Sequence, residues 1–154
     1  MDNLIGFSDS LDAGCGSGRD SKAFLDLGFR VRAFDACAEL ATRAEQLIGQ
    51  PVTVATFDSF RTDPAFDGIW ACASLLHVPE EHLPASIGHL WAALKPDGNF
   101  YVSFKMGTGE RTVDGRHFTD ATEERLRAWL APLSDVESIQ CWITADARPG
   151  ENET

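Results

Sequence analysis

The chain is expected to fold as an α/β domain: a doubly wound, mostly parallel sheet with helices on both faces. Three observations predict it. Short apolar or β-branched runs alternate along the 154 residues with stretches of helical periodicity. The run "GIWACA" is continuously apolar, as strands buried on both faces of a parallel sheet are. Glycines at positions 14, 16 and 18 stand where a first strand would turn into a first helix.

Each element follows from local chemistry. The first strand ends at "SLDA"; Ser8, Asp9 and Ser10 are poor residues for a buried central strand, so a short or frayed one is expected. "SKAFLDLG" reads as a short helix with Phe24, Leu25 and Leu27 inward and Gly28 as its stop. "RVRAFD" alternates into a second strand ending at Asp35. From Ala36 to Gly49, apolar residues recur at Cys37, Leu40, Ala41, Ala44, Leu47 and Ile48, which is one face of a helix. "VTVATF" and "GIWACA" are the next strands. Leu83, Ile87, Leu90, Trp91 and Leu94 mark an amphipathic helix from Glu80 to Lys95, closed by a turn at "KPDG". "NFYVSFK" follows as a strand. Asp120 and Glu123 form a capping-like pair ahead of a helix carrying Leu126, Trp129 and Leu130, and "VESIQCWIT" reads as a last strand. Right-handed crossovers would place the functional loops at the carboxyl ends of the strands. Residues 1–148 are expected to form one domain and 149–154 a disordered tail.

Composition narrows the function. Thirteen Lys and Arg against 24 Asp and Glu give a net charge of −11, which repels a phosphate backbone and makes nucleic acid an unfavourable partner. The four cysteines contain no C-x-x-C pair, so neither a zinc knuckle nor a disulfide framework is expected, and no metal site is predicted. With no signal-like or membrane-length apolar run, the reading is a cytoplasmic protein with no membrane contact.

The glycine loop "LDAGCGSGRD" selects among ligands. A dinucleotide fingerprint beginning at Gly14 would need glycine where Arg19 stands, and the Gly-Lys-Ser/Thr of a P-loop is absent. Asp12 beside the loop opposes a pyrophosphate; it either attracts a positively charged ligand or only organises the turn. S-adenosyl-L-methionine carries a sulfonium and an ammonium. Asp35, at the tip of the next strand, is placed either to accept hydrogen bonds from both ribose hydroxyls or to cap the helix starting near Ala36.

Through "LDAGCGSG", "VRAFD", "FDGIWACASLLHVP", "LKPDGNFYVSFK" and "DGRHFTDATEERLRAWL", the sequence resembles the class I S-adenosylmethionine-dependent methyltransferases. "GCGSGRDSKAFLDLGF" is similar to the small-molecule branch with the tellurite- and thiopurine-type enzymes, and to methyltransferase types 11 and 12. The resemblance implies a Rossmann-like fold, S-adenosyl-L-methionine as cofactor and a small-molecule methyl acceptor. It places Asp12, Ala13, Gly14, Cys15, Gly16 and Gly18 beside the methionine part, and Asp35 with Ala36 at the ribose. Phe57 or Asp58 would lie at the adenine, with Ala73, Ser74 and Leu75 lining the far side. Arg19 either meets the cofactor carboxylate or is an exposed first-turn arginine. His77 is either a substrate-side base or a histidine packed at a helix entrance.

Departures from the family pattern set further expectations. An N-terminal lid helix and an antiparallel last strand are expected to be missing, leaving an open sheet edge for a homodimer to cover. Two other functions stay open on the same layout: an inactive cofactor-binding or assembly module, and an NAD-dependent oxidoreductase.

Overall fold

A computed structural model describes residues 9–144. The expected absence of an N-terminal lid and the expected tail at residues 149–154 lie outside them. In chain order the elements are β1 (Asp9–Ala13), α1 (Arg19–Asp26), β2 (Arg30–Asp35), α2 (Ala38–Ile48), β3 (Thr53–Val54), β4 (Phe66–Ala71), α3 (Leu83–Ala92), β5 (Leu94–Val102), β6 (Glu110–Val113), β7 (Arg116–Thr119) and α4 (Glu123–Leu130). Five strands form one sheet in the order β3-β2-β1-β4-β5, and every pairing in it is parallel. The strand order reverses between β1 and β4, so a crevice opens above their carboxyl ends, where ligands bind in sheets of this kind.

β1 takes the central place despite its polar start, because only its second half needs to be apolar. Leu11 and Ala13 are fully buried, whereas Asp9 and Ser10 are half-buried, with Asp9 bonded to Arg30. The main core lies between the sheet and the α3–α4 face: Leu11, Phe34, Phe66 and Ile69 meet Leu83, Ile87 and Leu90 of α3 and Trp129 of α4. Burying side chains of that size contributes about 1.5–3 kcal/mol each before entropy is counted. A smaller core of Ala33, Ala41, Ala44 and Val52 seats α2 on the opposite face.

Several expectations need correction. Leu27 is 57% exposed, because α1 ends before its side chain can turn inward. The third strand shrinks to Thr53–Val54, since Thr56 and Ser59 exchange side-chain and backbone hydrogen bonds that turn the chain away. The long helix is shorter too: a 3-10 turn at Glu80–His82 precedes α3, and Leu94 and Lys95 already belong to β5. "KPDG" makes its turn inside that strand, where Leu94 pairs with Phe66 and Asn99 with Gly68, so the residues between bulge out with Asp97 at φ +69°. The cap of α4 is Thr122, whose hydroxyl accepts the Arg125 N–H; Asp120 instead holds Arg111. Residues 136–144 belong to no strand: they form no ladder with the sheet, and Trp142 meets β5 through its ring, 6.1 Å from that of Tyr101 between centroids. The β6–β7 hairpin was not expected at all. It turns at Asp114-Gly115, φ +53° and +77°, the left-handed pair of a two-residue hairpin turn.

Candidate active site

The loop after β1 is tied to β2 before any ligand is considered. The N–H groups of Gly14 and Cys15 both donate to the Phe34 carbonyl, at 3.0 and 2.9 Å. Gly16 N–H donates to Asp35 Oδ2 at 2.8 Å, and Cys37 N–H to Asp35 Oδ1 at 2.9 Å. Asp35 thus holds the glycine loop and the entrance of α2 at once. Each of its oxygens keeps a further lone pair for a ligand hydroxyl.

The three glycines have positive φ for different reasons. A Cβ on Gly14 would lie 2.5 Å from Ser74 Cβ and 3.4 Å from Phe57 Cζ, so packing alone excludes a side chain. On Gly18 it would lie 3.0 Å from Ala44 Cβ, where α2 crosses. On Gly16 it would meet nothing within 4 Å. Only Gly16 opens onto free space.

Asp12 is 3% exposed, and Ser21 Oγ donates to it at 2.7 Å. Burial pushes its carboxyl up to about 6 against that hydrogen bond. Its role in the structure is to pin α1 beneath the loop. Burial, with Asp12 and Asp35 adding, pushes the Cys15 thiol up to about 12, which leaves it inert at neutral pH. Arg19 is exposed and pairs with Asp20, while Asp20 also accepts from Trp70 Nε1 at 2.8 Å. That Asp20–Trp70 bond was missed from sequence, where Asp20 looks like an ordinary first-turn acid.

Across the crevice, Ala73 adopts φ +51° and donates its N–H to Ser103 Oγ at 2.7 Å. Ser74 is buried and donates to the Ala13 carbonyl at 2.7 Å, joining the β4 loop to the β1 loop; Leu75 is core. Phe57 is half-buried, edge-on to Phe34 and beside Gly14. Asp58 turns away from these groups and lies 3.7 Å from His89 Nδ1 of α3, and Ala36 is exposed. The structure therefore brings together Ala13, Gly14, Cys15, Gly16, Asp35, Phe57 and Ser74. It leaves Arg19 on the outer surface and directs Asp58 to α3.

His77 is committed at both nitrogens. Arg116 can only donate, so Nε2 accepts from it at 2.9 Å, and Nδ1–H donates to the His117 carbonyl at 2.9 Å. Burial lowers its pKa, and the Arg116 charge lowers it further. The ring that the sequence offered as a base has no free nitrogen to receive a proton. It joins the β4 loop to the β6–β7 hairpin instead.

A family model described as "Methyltransferase domain" matches residues 11–98, more than half of the chain. The chain belongs to that methyltransferase family. Solved structures agree with the fold. The Burkholderia thailandensis 1,6-didemethyltoxoflavin-N1-methyltransferase, solved with 1,6-didemethyltoxoflavin and S-adenosylhomocysteine, is similar at TM-score 0.67 and 27% identity, over 81% of this chain and 59% of that one. A SAM-dependent methyltransferase from Methanosarcina mazei is similar at TM-score 0.72 and 21% identity, over 85% and 81%. A TehB-like SAM-dependent methyltransferase from Corynebacterium glutamicum is similar at TM-score 0.61 and 20% identity, over 76% and 82%. This methyltransferase domain thus spans 59% of the Burkholderia enzyme's length. No curated relative matches the chain.

Proposed function

We propose that the chain is an S-adenosylmethionine-dependent methyltransferase that acts in line on a small-molecule acceptor. One observation carries the reading: the glycine loop and the Asp35 carboxylate are joined by a direct hydrogen bond, and Gly16 beside it faces open space. That set fits the cofactor. Asp35 would hold the ribose, the backbone around Gly16 would lie along the methionine part, and Phe57 would flank the base. Bound there, S-adenosylmethionine supplies a methyl group on a cationic sulfur. The protein's task is then to align the acceptor and exclude water, and a committed His77 is compatible with acceptors that need no proton removed.

Titration calorimetry with S-adenosylhomocysteine tests this. Wild-type protein binds, and Asp35→Ala weakens binding by about 1.5–3 kcal/mol, the usual contribution of hydrogen bonds to a charged group. A melting temperature raised by NAD and untouched by S-adenosylhomocysteine would instead support the oxidoreductase reading.

Two finer parts of the proposal rest on surface features. The edge of β5, which pairs with no further strand among the described residues, and the exposed Met106, Trp142 and Ile143 support a homodimer, to be read by analytical ultracentrifugation. Four free cysteines support a reducing, cytoplasmic setting. No helix among the described residues is long and apolar enough to cross a membrane.

A further inference from the structure

The β6–β7 hairpin packs against the turn that follows β4 and carries two arginines over one aromatic ring. Arg111 lies 4.7 Å and Arg116 5.5 Å from the Phe118 centroid. Their partners differ. Arg111 is neutralised by Asp120 through two hydrogen bonds of 2.7 and 3.0 Å. Arg125, behind it, takes Glu80 at 3.0 Å. Arg116 has no carboxylate partner among the described residues, in a chain with 24 acidic side chains against 13 Lys and Arg. Its Nη2 donates to the neutral ring of His77, and Nε and Nη1 have no partner among the described residues.

The pair also stands near the cofactor half of the site. The Asp35 charge acts on His77, opposing the burial that keeps the ring neutral. His77 and Arg116 stand on segments that follow β4 and β5, at the same carboxyl end of the parallel sheet as the glycine loop after β1 and Asp35 at the end of β2. An arginine held by a neutral acceptor keeps its full charge, and its planar fork is oriented before any ligand arrives.

We propose that Arg116, presented by His77 and backed by Phe118, binds a carboxylate on the methyl acceptor. The proposal rests on the methyltransferase reading and names the substrate class of that site. The donors left on Arg116 suit a planar oxyanion, which a guanidinium meets through paired N–H groups. The net charge of −11 favours a monoanion over a dianionic phosphate. His77 acts here as a positioning residue.

The test uses the full chain, 15N-labelled, with and without saturating S-adenosylhomocysteine. Arginine Nε–Hε signals are followed during titration with benzoate, benzamide and phenyl phosphate, with Arg43, exposed on α2, as internal control. Arg116→Gln assigns the signal. Benzoate is expected to shift Arg116 saturably, with a midpoint at least tenfold below that of Arg43; benzamide leaves it unmoved and phenyl phosphate binds more weakly. His77→Ala should weaken benzoate at least fivefold, and His77→Gln, whose amide oxygen still accepts, should recover most of that. Equal responses at Arg116 and Arg43, or equal responses to benzoate and benzamide, overturn the proposal. Tighter phenyl phosphate overturns the carboxylate assignment, and a His77→Ala protein that binds benzoate like wild type removes the positioning role. Calorimetry with S-adenosylhomocysteine on the same samples separates the two levels. Loss there in wild type sinks the methyltransferase reading, whereas normal binding with a flat Arg116 titration sinks this subsite alone.

Discussion

Replacing Gly14 and Gly16 one at a time by alanine separates two reasons for a glycine that the sequence shows identically. Both residues sit at positive φ, +76° and +58°, where an L side chain costs about 1–2 kcal/mol. At Gly16 that is the whole stability cost, because nothing lies within 4 Å of the added methyl. At Gly14 the methyl would stand 2.5 Å from Ser74 Cβ. Ser74 cannot swing aside cheaply, since it is buried and its hydroxyl is bonded to the Ala13 carbonyl at 2.7 Å. Overpacking of that kind adds about 1–3 kcal/mol, so Gly14→Ala should lose about 2–5 kcal/mol in urea denaturation and Gly16→Ala only about 1–2. The order inverts for the ligand. Gly16→Ala fills the space beside the amide that Asp35 holds, so S-adenosylhomocysteine should bind at least tenfold more weakly to a protein that is still folded. Equal stabilities would show that Ser74 yields, and wild-type affinity in Gly16→Ala would show that no ligand approaches there.

Asp12 gives a pH prediction. Its folded-state pKa of about 6 lies above the ordinary 3.8, so the folded state holds the proton more tightly and stability falls as pH rises between those values. A shift of that size corresponds to about 3 kcal/mol. Asp12→Asn should therefore gain on wild type between pH 4 and pH 7 in urea denaturation, and parallel curves would contradict the assignment. Thr122→Ala should cost about 1 kcal/mol through loss of the α4 cap, read as a lower melting temperature. Ser74→Ala should cost about 0.5–1.5 kcal/mol by removing the bond to the Ala13 carbonyl, and an unchanged urea midpoint would show that this bond does not brace the two loops.

What could be read from sequence was whatever local pattern decides. "RVRAFD" alternates because β2 does, with Val31 and Ala33 buried and Arg30 and Arg32 exposed. Helix α3 shows its inner face through Leu83, Ile87 and Leu90. Where the partner decides, pattern misled. "VESIQCWIT" has strand propensity, yet a strand needs a backbone partner and this segment pairs with no strand of the sheet. The hairpin was missed because β6 is exposed throughout and the one fully buried residue of β7 is the polar Thr119, so no apolar alternation marks the two strands. The Asp114-Gly115 dipeptide was the available signal. In the candidate site, spacing pointed to Asp35 and the glycines, which the fold joins through the Gly16–Asp35 hydrogen bond. Spacing could not tell that Asp12 faces Ser21, which depends on how α1 docks beside β1, or that His77 is claimed by Arg116, which comes from a hairpin 39 residues further along the chain.

The two halves of the site differ in how tightly they are built. On the proposed cofactor side, one carboxylate fixes the amides of Gly16 and Cys37, and Gly14 packs on Ser74, whose hydroxyl returns to Ala13. Moving any of these displaces the others, so the geometry offered to a ligand there is set by the fold itself. The proposed acceptor side consists of the 3-10 turn Leu75–His77 after β4 and the two-stranded hairpin after β5, joined by His77 to the His117 carbonyl and to Arg116, and by the Thr119 hydroxyl to the Val78 carbonyl. None of those bonds touches the glycine loop. On the proposed reading, hairpin side chains can therefore change the acceptor without disturbing the cofactor pocket, and a double substitution of Asp35 and Arg116 should show additive losses in cofactor binding and acceptor binding. Coupling of more than about 0.5 kcal/mol between them would mean that the two halves move together after all.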